Sequence, residues 1–302
     1  MSDIKLFRIQ EAHAIELPGH AAGLERSLQR TIEENLETLL GVRFLKSEYS
    51  TGAKHRGRID TLGLDENGCP VIIEYKRNLN ENVINQGLFY LDWLLDHRGE
   101  FELLVLKELG ESSGETIDWS APRLICIAED FTRYDEHAIS QIQRNIELIR
   151  YRYFQSDLLL LEMVNSVTPA TGSASGRTPT TKGEYKTITD TLETLSGELR
   201  DLYDDLGDFN RGLGDDVQEK VLKYYVAFKR IRNFCCVEVH PQKKALTLFL
   251  HLDPDETELV PDFTRDVRKI GHYGTGDLEV TVRNQDDLER TKELIRRSFE
   301  RS

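Results

Sequence analysis

Residues 58–77 read RIDTLGLDENGCPVIIEYKR and predict two strands joined by a tight turn. The run DENG at 65–68 has the composition of a hairpin turn, in which Asn-Gly is the strongest short signal. Because side chains alternate along a strand, Glu74 and Lys76 share a face, and antiparallel pairing can bring Asp60 beside them. The stretch therefore predicts two carboxylates and one ammonium converging on one side of a hairpin.

This trio has the chemistry of a metal-dependent nuclease. Carboxylate oxygens suit Mg²⁺ or Mn²⁺, and a bound ion can activate water and neutralise the charge that develops on a phosphodiester. A nearby lysine could orient the water or stabilise the anion. The alternative interpretation is structural, because Glu-x-Lys on a strand is frequently a solvated cross-strand charge pair.

Length and composition indicate a globular chain with more than one domain. The 302 residues are 39% hydrophobic, which is enough for two ordinary domains. No apolar run has membrane-spanning length, and the first 20 residues lack the features of a signal peptide, so we expect a cytoplasmic protein without a membrane partner. The four cysteines show neither metal-site nor disulfide spacing, and we expect reduced thiols and no zinc: Cys69, Cys126, Cys235 and Cys236.

The net charge of −14 counts against a nucleic-acid partner, because such proteins usually present a basic surface to phosphate. One local stretch is different. Between Arg43 and Arg58 there are five basic residues and the single acid Glu48, and the stretch leads directly to Asp60. It could form a basic approach to an acidic site, although an ordinary solvated loop is the simpler interpretation.

A segment rich in Ser, Thr, Gly and Pro, 166–181, has the composition of a linker. We therefore expect one domain over residues 1–165, a linker over 166–184 and a second domain over 185–302. Hydrophobic periodicity predicts the elements of the first domain. Helices are expected over Leu24–Leu40, Asn82–Asp96 and Asp135–Ile149, and strands over Arg43–Tyr49, Gly57–Asp65, Pro70–Lys76, Glu102–Leu106, Leu124–Ala128 and Leu158–Met163.

The same reasoning predicts a smaller second domain. Helices are expected over Tyr185–Leu206, Asp215–Arg232 and Gln285–Arg301, and strands over Phe234–His240, Ala245–Leu252 and Leu278–Val282. The fold class is therefore α/β (α+β), with a mixed sheet flanked by helices followed by a small α+β domain.

An Asp followed fourteen residues later by Glu-x-Lys at the end of an apolar strand resembles the PD-(D/E)xK nuclease superfamily. The segments GRID, DENG and VIIEYKR are similar to those of the nuclease domain of the NucS-type (EndoMS) mismatch endonucleases and their restriction-endonuclease-like relatives. The resemblance implies that Asp60 and Glu74 ligate a divalent ion, Mg²⁺ or Mn²⁺, and that Lys76 positions or activates water.

The resemblance also implies further site residues. A helical acid of the family corresponds to Glu25, as a third ligand for the ion, with Glu33 as the alternative acid on the same helix. A Gln-x-x-x-Tyr motif corresponds to Gln86 and Tyr90, with Gln86 completing the site. Five residues are expected to contact nucleic acid: Lys54, Arg56, Arg58, Arg77 and Tyr90.

The resulting hypothesis is an endonuclease that cleaves DNA in repair or in defence against foreign DNA. Many related enzymes pair two active sites, which implies a homodimer. The alternative is a nucleic-acid-binding or scaffold protein that keeps the fold without catalysis.

The C-terminal half resembles the DUF5655 domain, through FKRIRNFCCVEVHPQKKALTLFLHLDP and the later GHYGTGDLEVTVRNQDDLERTKELI. This resemblance brings no catalytic residues. Basic and aromatic residues there could form a nucleic-acid face. We favour helix capping and a solvated hairpin as the explanation for this set: Lys229, Arg230, Arg232, Lys243, Lys244, His272 and Tyr273.

Overall fold

The computed structural model describes residues 4–52, 57–76, 83–110, 117–167 and 187–302. These residues divide into two units, the first with 4–65 and 69–167 and the second with 66–68 and 187–302. Each unit contains its own main sheet and hydrophobic core. Sheets and helices occur in both units, which confirms the α+β fold class.

The first unit places nine strands and five helices in chain order within its described residues. Its elements are β1 (Leu6–Gln10), β2 (His13–Leu17), β3 (Gly19–His20), α1 (Glu25–Glu34), α2 (Leu36–Leu40), β4 (Val42–Ser50), β5 (Arg58–Asp65), β6 (Pro70–Lys76), α3 (Val83–Asp96), α4 (Arg98–Leu109), β7 (Arg123–Ala128), α5 (Arg133–Ser140), β8 (Asn145–Phe154) and β9 (Leu158–Val167).

A seven-stranded mixed sheet forms the centre of this unit, in the order β3-β8-β7-β6-β5-β4, with β9 also paired to β8. The strands β6, β7 and β8 run parallel, whereas β4, β5 and β6 are joined by antiparallel pairing. Asp65 and Cys69 close the β5–β6 hairpin, since the Asp65 N–H donates to the Cys69 carbonyl at 2.9 Å. The predicted hairpin is therefore present, with β6 at its predicted bounds.

Two glycines allow a helix to approach the strands that carry the acids. A Cβ on Gly87 would lie 2.5 Å from a Leu124 methyl group, so only glycine lets α3 pack this closely on β7. A Cβ on Gly57 would lie 2.4 Å from the Tyr90 ring. The absence of both side chains fixes α3 beside the start of β5 and the end of β6.

The second unit has a six-stranded antiparallel sheet in the order β10-β11-β12-β13-β15-β14. Its elements are α6 (Ile188–Thr194), α7 (Glu198–Arg211), β10 (Gln218–Val221), β11 (Val226–Lys229), β12 (Asn233–His240), β13 (Ala245–Leu250), β14 (Thr264–Asp266), β15 (Leu278–Val282) and α8 (Gln285–Glu300). Its core contains residues from α7 and α8 packed with the inner residues of the sheet.

Two predictions in the first domain were wrong. The expected strand Glu102–Leu106 lies inside α4, where Phe101 is buried and Leu103 is 67% exposed. Apolar residues on more than one side of that helix hide its period and imitate a strand. The expected helix Asp135–Ile149 ends at Ser140, and residues from Asn145 onward form β8, which is buried on both faces and so shows no alternation.

The expected helix Asp215–Arg232 was also wrong, because this segment forms β10 and β11. The two short strands are joined by a turn in which the Leu222 N–H donates to the Tyr225 carbonyl at 3.0 Å. With so short a connection, the apolar residues of the two strands follow each other at a spacing that resembles a helical repeat. Lys229 ends β11 and Arg230 follows it, so helix capping does not explain the basic residues there.

Other boundaries differ by less. The expected helix Leu24–Leu40 is divided at Asn35 into α1 and α2, and it ends at Gly41 in the left-handed conformation, with φ 62°. The strand β9 extends to Val167, two residues into the expected linker, and residues 168–184 of that linker lie outside the described residues. Among the helices that the structure describes, none has the length and apolarity to cross a bilayer.

A buried ion triad joins β5, β7 and β8. The Arg123 guanidinium donates to Glu147 at 2.7 Å through both Nε and Nη2, and to Asp65 Oδ2 at 3.1 Å through Nη1. At most 5% of any of the three side chains is exposed. Removal of the Arg123 guanidinium would leave the buried carboxylates of Asp65 and Glu147 without their cation. This lowers stability far more than the loss of an exposed ion pair.

We therefore expect Arg123→Met to lower the free energy of unfolding of the first unit by about 3–5 kcal/mol. Both tryptophans, Trp93 and Trp119, lie in this unit, so their fluorescence during urea denaturation reports its unfolding. The control is Arg30→Met, which removes an exposed ion pair with Glu34 and should cost less than about 1 kcal/mol. Equal losses for the two variants would contradict a stabilising role of the triad.

Candidate active site

Asp60 and Glu74 lie opposite each other on the β5–β6 hairpin. Thr61 pairs with Ile73, which makes Asp60 and Glu74 the next positions in the antiparallel register. Each carboxylate accepts a backbone N–H from the other strand: Asp60 N–H donates to Glu74 Oε1 at 3.2 Å, and Tyr75 N–H donates to Asp60 Oδ2 at 3.0 Å. The backbone of the hairpin therefore holds the two carboxylates side by side.

Burial makes this carboxylate pair difficult to ionise. Glu74 has no exposed surface, and burial followed by the nearby charge of Asp60 raises its pKa to about 9. The pKa of Asp60 is also raised, mainly by burial, although the Tyr75 N–H and Lys76 oppose the shift. Two adjacent carboxyl groups in a poorly solvated site resist carrying two negative charges unless a cation joins them.

Lys76 supplies one positive charge at this site. Its Nζ lies 3.4 Å from Glu25 Oε1, and 13% of its side chain is exposed. Burial lowers its pKa, but Glu25, Asp60 and Glu74 together outweigh burial, and the net shift is upward. The lysine is therefore held as an ammonium, although its charge does not restore the pKa values of Asp60 and Glu74 to their ordinary range.

Gln86 on α3 completes the group, since its Nε2 donates to Glu74 Oε2 at 2.9 Å. The close packing allowed by Gly87 puts this residue within reach of the strand. Contacts thus connect all five predicted site residues. Hydrogen bonds join Gln86 to Glu74, Glu74 to the backbone of Asp60, and Lys76 to Glu25. An electrostatic interaction joins Lys76 to Asp60.

The structure distinguishes the two helical acids. Glu33 accepts a hydrogen bond from Thr61 Oγ1 at 2.5 Å, and Thr61 points to the opposite face of the strand from Asp60. Glu25 instead contacts Lys76. Of the two acids, Glu25 is thus the one next to Lys76, and its role as a third ligand stays a prediction, whereas Glu33 belongs to a polar network with Thr61 and Gln29.

That network includes a residue that the sequence analysis did not assign. Gln29 is 6% exposed, and its Nε2 donates to the Asp60 carbonyl at 2.9 Å and to Glu33 Oε1 at 3.1 Å. The sequence signal that could have identified Gln29 is its place on α1 next to the buried positions Leu28 and Ile32. A glutamine on the buried side of a helix needs polar partners for its amide. Gln29 ties α1 to the strand position that carries Asp60.

The five predicted nucleic-acid contacts receive less support. Arg58 Nε lies 2.5 Å from Glu48 Oε2, so its charge is paired. Tyr90 is 7% exposed, and its hydroxyl accepts the Arg58 N–H at 3.1 Å, so it supports β5 and does not form part of an exposed contact surface. The other three predicted residues lie outside the described residues: Lys54, Arg56 and Arg77.

The donor set fits a divalent cation that takes few protein ligands. Among the residues described here, no group of three or more acidic, histidine or cysteine side chains is arranged to hold a metal ion. Mg²⁺ commonly uses one or two carboxylates and keeps several waters, which matches the pair Asp60 and Glu74. Burial raises the pKa values of both acids, with a further contribution to Glu74 from the charge of Asp60, and a cation bound to them would favour their ionised forms.

Comparison with known proteins adds three findings. The family model DUF5655, a domain of unknown function, matches residues 188–302, which confirms the domain predicted for the C-terminal half. An "Uncharacterized protein" of Haemophilus influenzae is 29% identical over 309 residues, covering 98% of this chain and 99% of its own length. The similarity therefore extends across both units.

A solved structure titled "Structure of EndoMS-dsDNA2 complex" aligns with a TM-score of 0.25 and 21% identity, covering 43% of this chain and 46% of that chain. A TM-score of this size carries no weight for function.

The carboxylate pair predicts a pH dependence of stability. Glu74 has a higher pKa in the folded chain, about 9, than its ordinary value of 4.5, so its contribution to stability is complete below pH 4.5 and is lost as the pH rises through about 9. Glu74→Gln should therefore reduce the fall in unfolding free energy between these pH values, measured by tryptophan fluorescence in urea with EDTA present. Glu34→Gln, at an exposed position on α1, serves as the control, and identical pH profiles for wild type and Glu74→Gln would contradict the burial argument.

Proposed function

We propose that this chain is a metal-dependent endonuclease that hydrolyses phosphodiester bonds of DNA, in repair or in defence against foreign DNA. The observation that carries the proposal is the pair formed by the half-buried Asp60 and the buried Glu74, hydrogen-bonded across the hairpin and accompanied by the Lys76 ammonium. Two carboxylates with raised pKa values beside a protonated lysine form a site that favours a cation and an anionic substrate together.

Hydrogen bonds within the protein orient the two carboxylates of the proposed site. The Gln86 amide and the Asp60 N–H fix the two oxygens of Glu74, and the Tyr75 N–H fixes Asp60, so that both carboxylates are oriented before any ligand arrives. A divalent ion bound there would supply Lewis acidity and a more acidic water.

Lys76 lies beside this pair and can donate to a phosphate oxygen or to the attacking water. Glu25 holds its ammonium in position. Cleavage of both DNA strands would require two such sites, and the homodimer expected on that ground stays a prediction.

Asp60→Ala and Lys76→Ala should each reduce DNA cleavage by about 100-fold or more, because each removes a group that acts on the reacting centre. The assay uses duplex, mismatched, branched and single-stranded DNA with Mg²⁺ or Mn²⁺. Asp92→Ala provides the matched control, since Asp92 is an exposed acid on the same helix as Gln86. Cleavage that survives both substitutions would remove the assignment of this site.

A second candidate function, a nucleic-acid-binding or scaffold protein without catalysis, is favoured by one observation. The described residues contain no three-donor metal group, and Glu25 is engaged with Lys76. Metal binding separates the two candidates independently of any DNA substrate.

For the enzyme, titration calorimetry should show Mn²⁺ binding that is lost in Asp60→Ala and retained in Asp92→Ala. Asp60 is one of the two acids that would hold the ion, whereas Asp92 is an exposed residue of α3. A wild-type chain that neither binds Mn²⁺ nor cleaves any DNA would favour the scaffold function.

A further inference from the structure

The second unit contains a cavity of about 190 Å³ with an aromatic wall and an acidic group. Tyr224 and Tyr273 form the wall, with ring centroids 4.6 Å apart and planes inclined by 35°. Tyr273 is 52% exposed, whereas the apolar residues Ile188 and Val239 that also line the cavity are buried. An exposed ring above an apolar floor is a surface on which a planar ligand can stack.

A carboxylate in fixed orientation faces the same cavity. Glu238 accepts the backbone N–H of Tyr273 at Oε1, 3.2 Å away, and its Oε2 lies 3.2 Å from His240 Nε2. The side chain is 15% exposed. Because a carboxylate oxygen has two acceptor positions, each oxygen keeps the capacity for a ligand donor in addition to its protein partner.

The charge around the cavity favours a neutral ring over a cationic ligand. Lys223 Nζ lies 5.0 Å from the centroid of the Tyr224 ring, so an ammonium is already placed against the aromatic wall. An ammonium against the wall would repel an arginine or lysine side chain that entered the cavity. The wall therefore favours a ligand with an uncharged ring, and the ammonium favours a ligand with a negative group. A nucleotide has both, an uncharged base for stacking and a phosphate that Lys223 attracts.

We propose that this cavity binds a guanine base, stacked on Tyr273 and donating its N1–H and its amino group to Glu238. Among the four DNA bases, guanine alone carries two adjacent donors on its Watson–Crick edge. Adenine and cytosine place an acceptor next to the amino group, and thymine has one donor between two carbonyls. A carboxylate, which only accepts, therefore selects guanine in unpaired DNA.

This inference rests on the proposed function to the extent that it takes DNA as the source of the base, but guanine binding does not depend on cleavage. The probes are the mononucleotides dGMP, dAMP, dCMP and dTMP, titrated into the full chain by calorimetry with EDTA present. We expect dGMP to bind at least about tenfold more tightly than the other three, which corresponds to ~1.4 kcal/mol.

Variants of the two key residues test the geometry. Tyr273→Ala should weaken dGMP binding about tenfold through loss of stacking, whereas Tyr273→Phe keeps the ring and should restore it. Glu238→Gln, which is close to isosteric, should remove the preference for dGMP. Tyr134→Ala, at a 70% exposed tyrosine of the first unit, is the control and should bind as the wild type does.

Other outcomes would overturn the inference. These are equal binding of all four nucleotides, no binding at millimolar concentration, or tighter binding of arginine amide than of dGMP. Asp60→Ala separates the two proposals, because it should abolish cleavage and leave dGMP binding unchanged. A wild-type chain that binds dGMP selectively but cleaves no DNA would end the nuclease proposal and leave the guanine site standing. A wild-type chain that cleaves DNA but shows no preference for dGMP would end the guanine proposal and leave the nuclease proposal standing.

Discussion

The register of the β5–β6 hairpin is the constraint on which the site depends. It places the carboxylates of the half-buried Asp60 and the buried Glu74 opposite each other, an arrangement that their mutual repulsion would otherwise oppose, and it anchors each with a backbone N–H of the neighbouring strand. A slip of one residue would turn Asp60 to the opposite face and separate it from Glu74. The helix α3 packs on β7 at Gly87 and reaches β6 through Gln86, and the helix α1 is tied to β5 by the bond from Gln29 to the Asp60 carbonyl.

Asp65 and Asp60 both lie on β5, but their charges are balanced differently. Asp65 and Glu147 share Arg123, so their buried charges are compensated within the protein. Asp60 and Glu74 have Lys76 nearby, yet both retain raised pKa values. Among the described residues, the sheet thus compensates one set of acids within the protein and leaves the other with raised pKa values. A raised pKa of this kind is what the proposed cation site would use, because a bound cation favours the ionised carboxylates.

The sequence predicted the parts of the fold that local chemistry determines. Asn-Gly between two apolar runs located the hairpin, and alternation placed Glu74 and Lys76 on one face. The prediction was wrong where tertiary packing overrides periodicity. β8 is buried on both faces and has no alternation to detect, and α4 has apolar residues on more than one side. Gln29 was missed for a related reason, because its partner is a backbone carbonyl that only the folded sheet brings within reach.

The net charge of −14 constrains any function that involves nucleic acid. Most proteins gain affinity for DNA from lysine and arginine on phosphate, with release of counterions. In this chain 53 acidic residues outnumber 39 lysines and arginines, so the overall charge opposes that source of affinity. The two proposed sites add other interactions to the lysine contacts with phosphate. A divalent ion between Asp60 and Glu74 would bring positive charge to the phosphate from solution, and the tyrosine wall would bind a base by stacking, which needs no net charge. Unpaired DNA suits such a wall better than duplex does, because the faces and Watson–Crick edges of its bases are not engaged in stacking and pairing. A base free of pairing is therefore the feature that the proposed tyrosine wall can recognise despite the acidic charge of the chain.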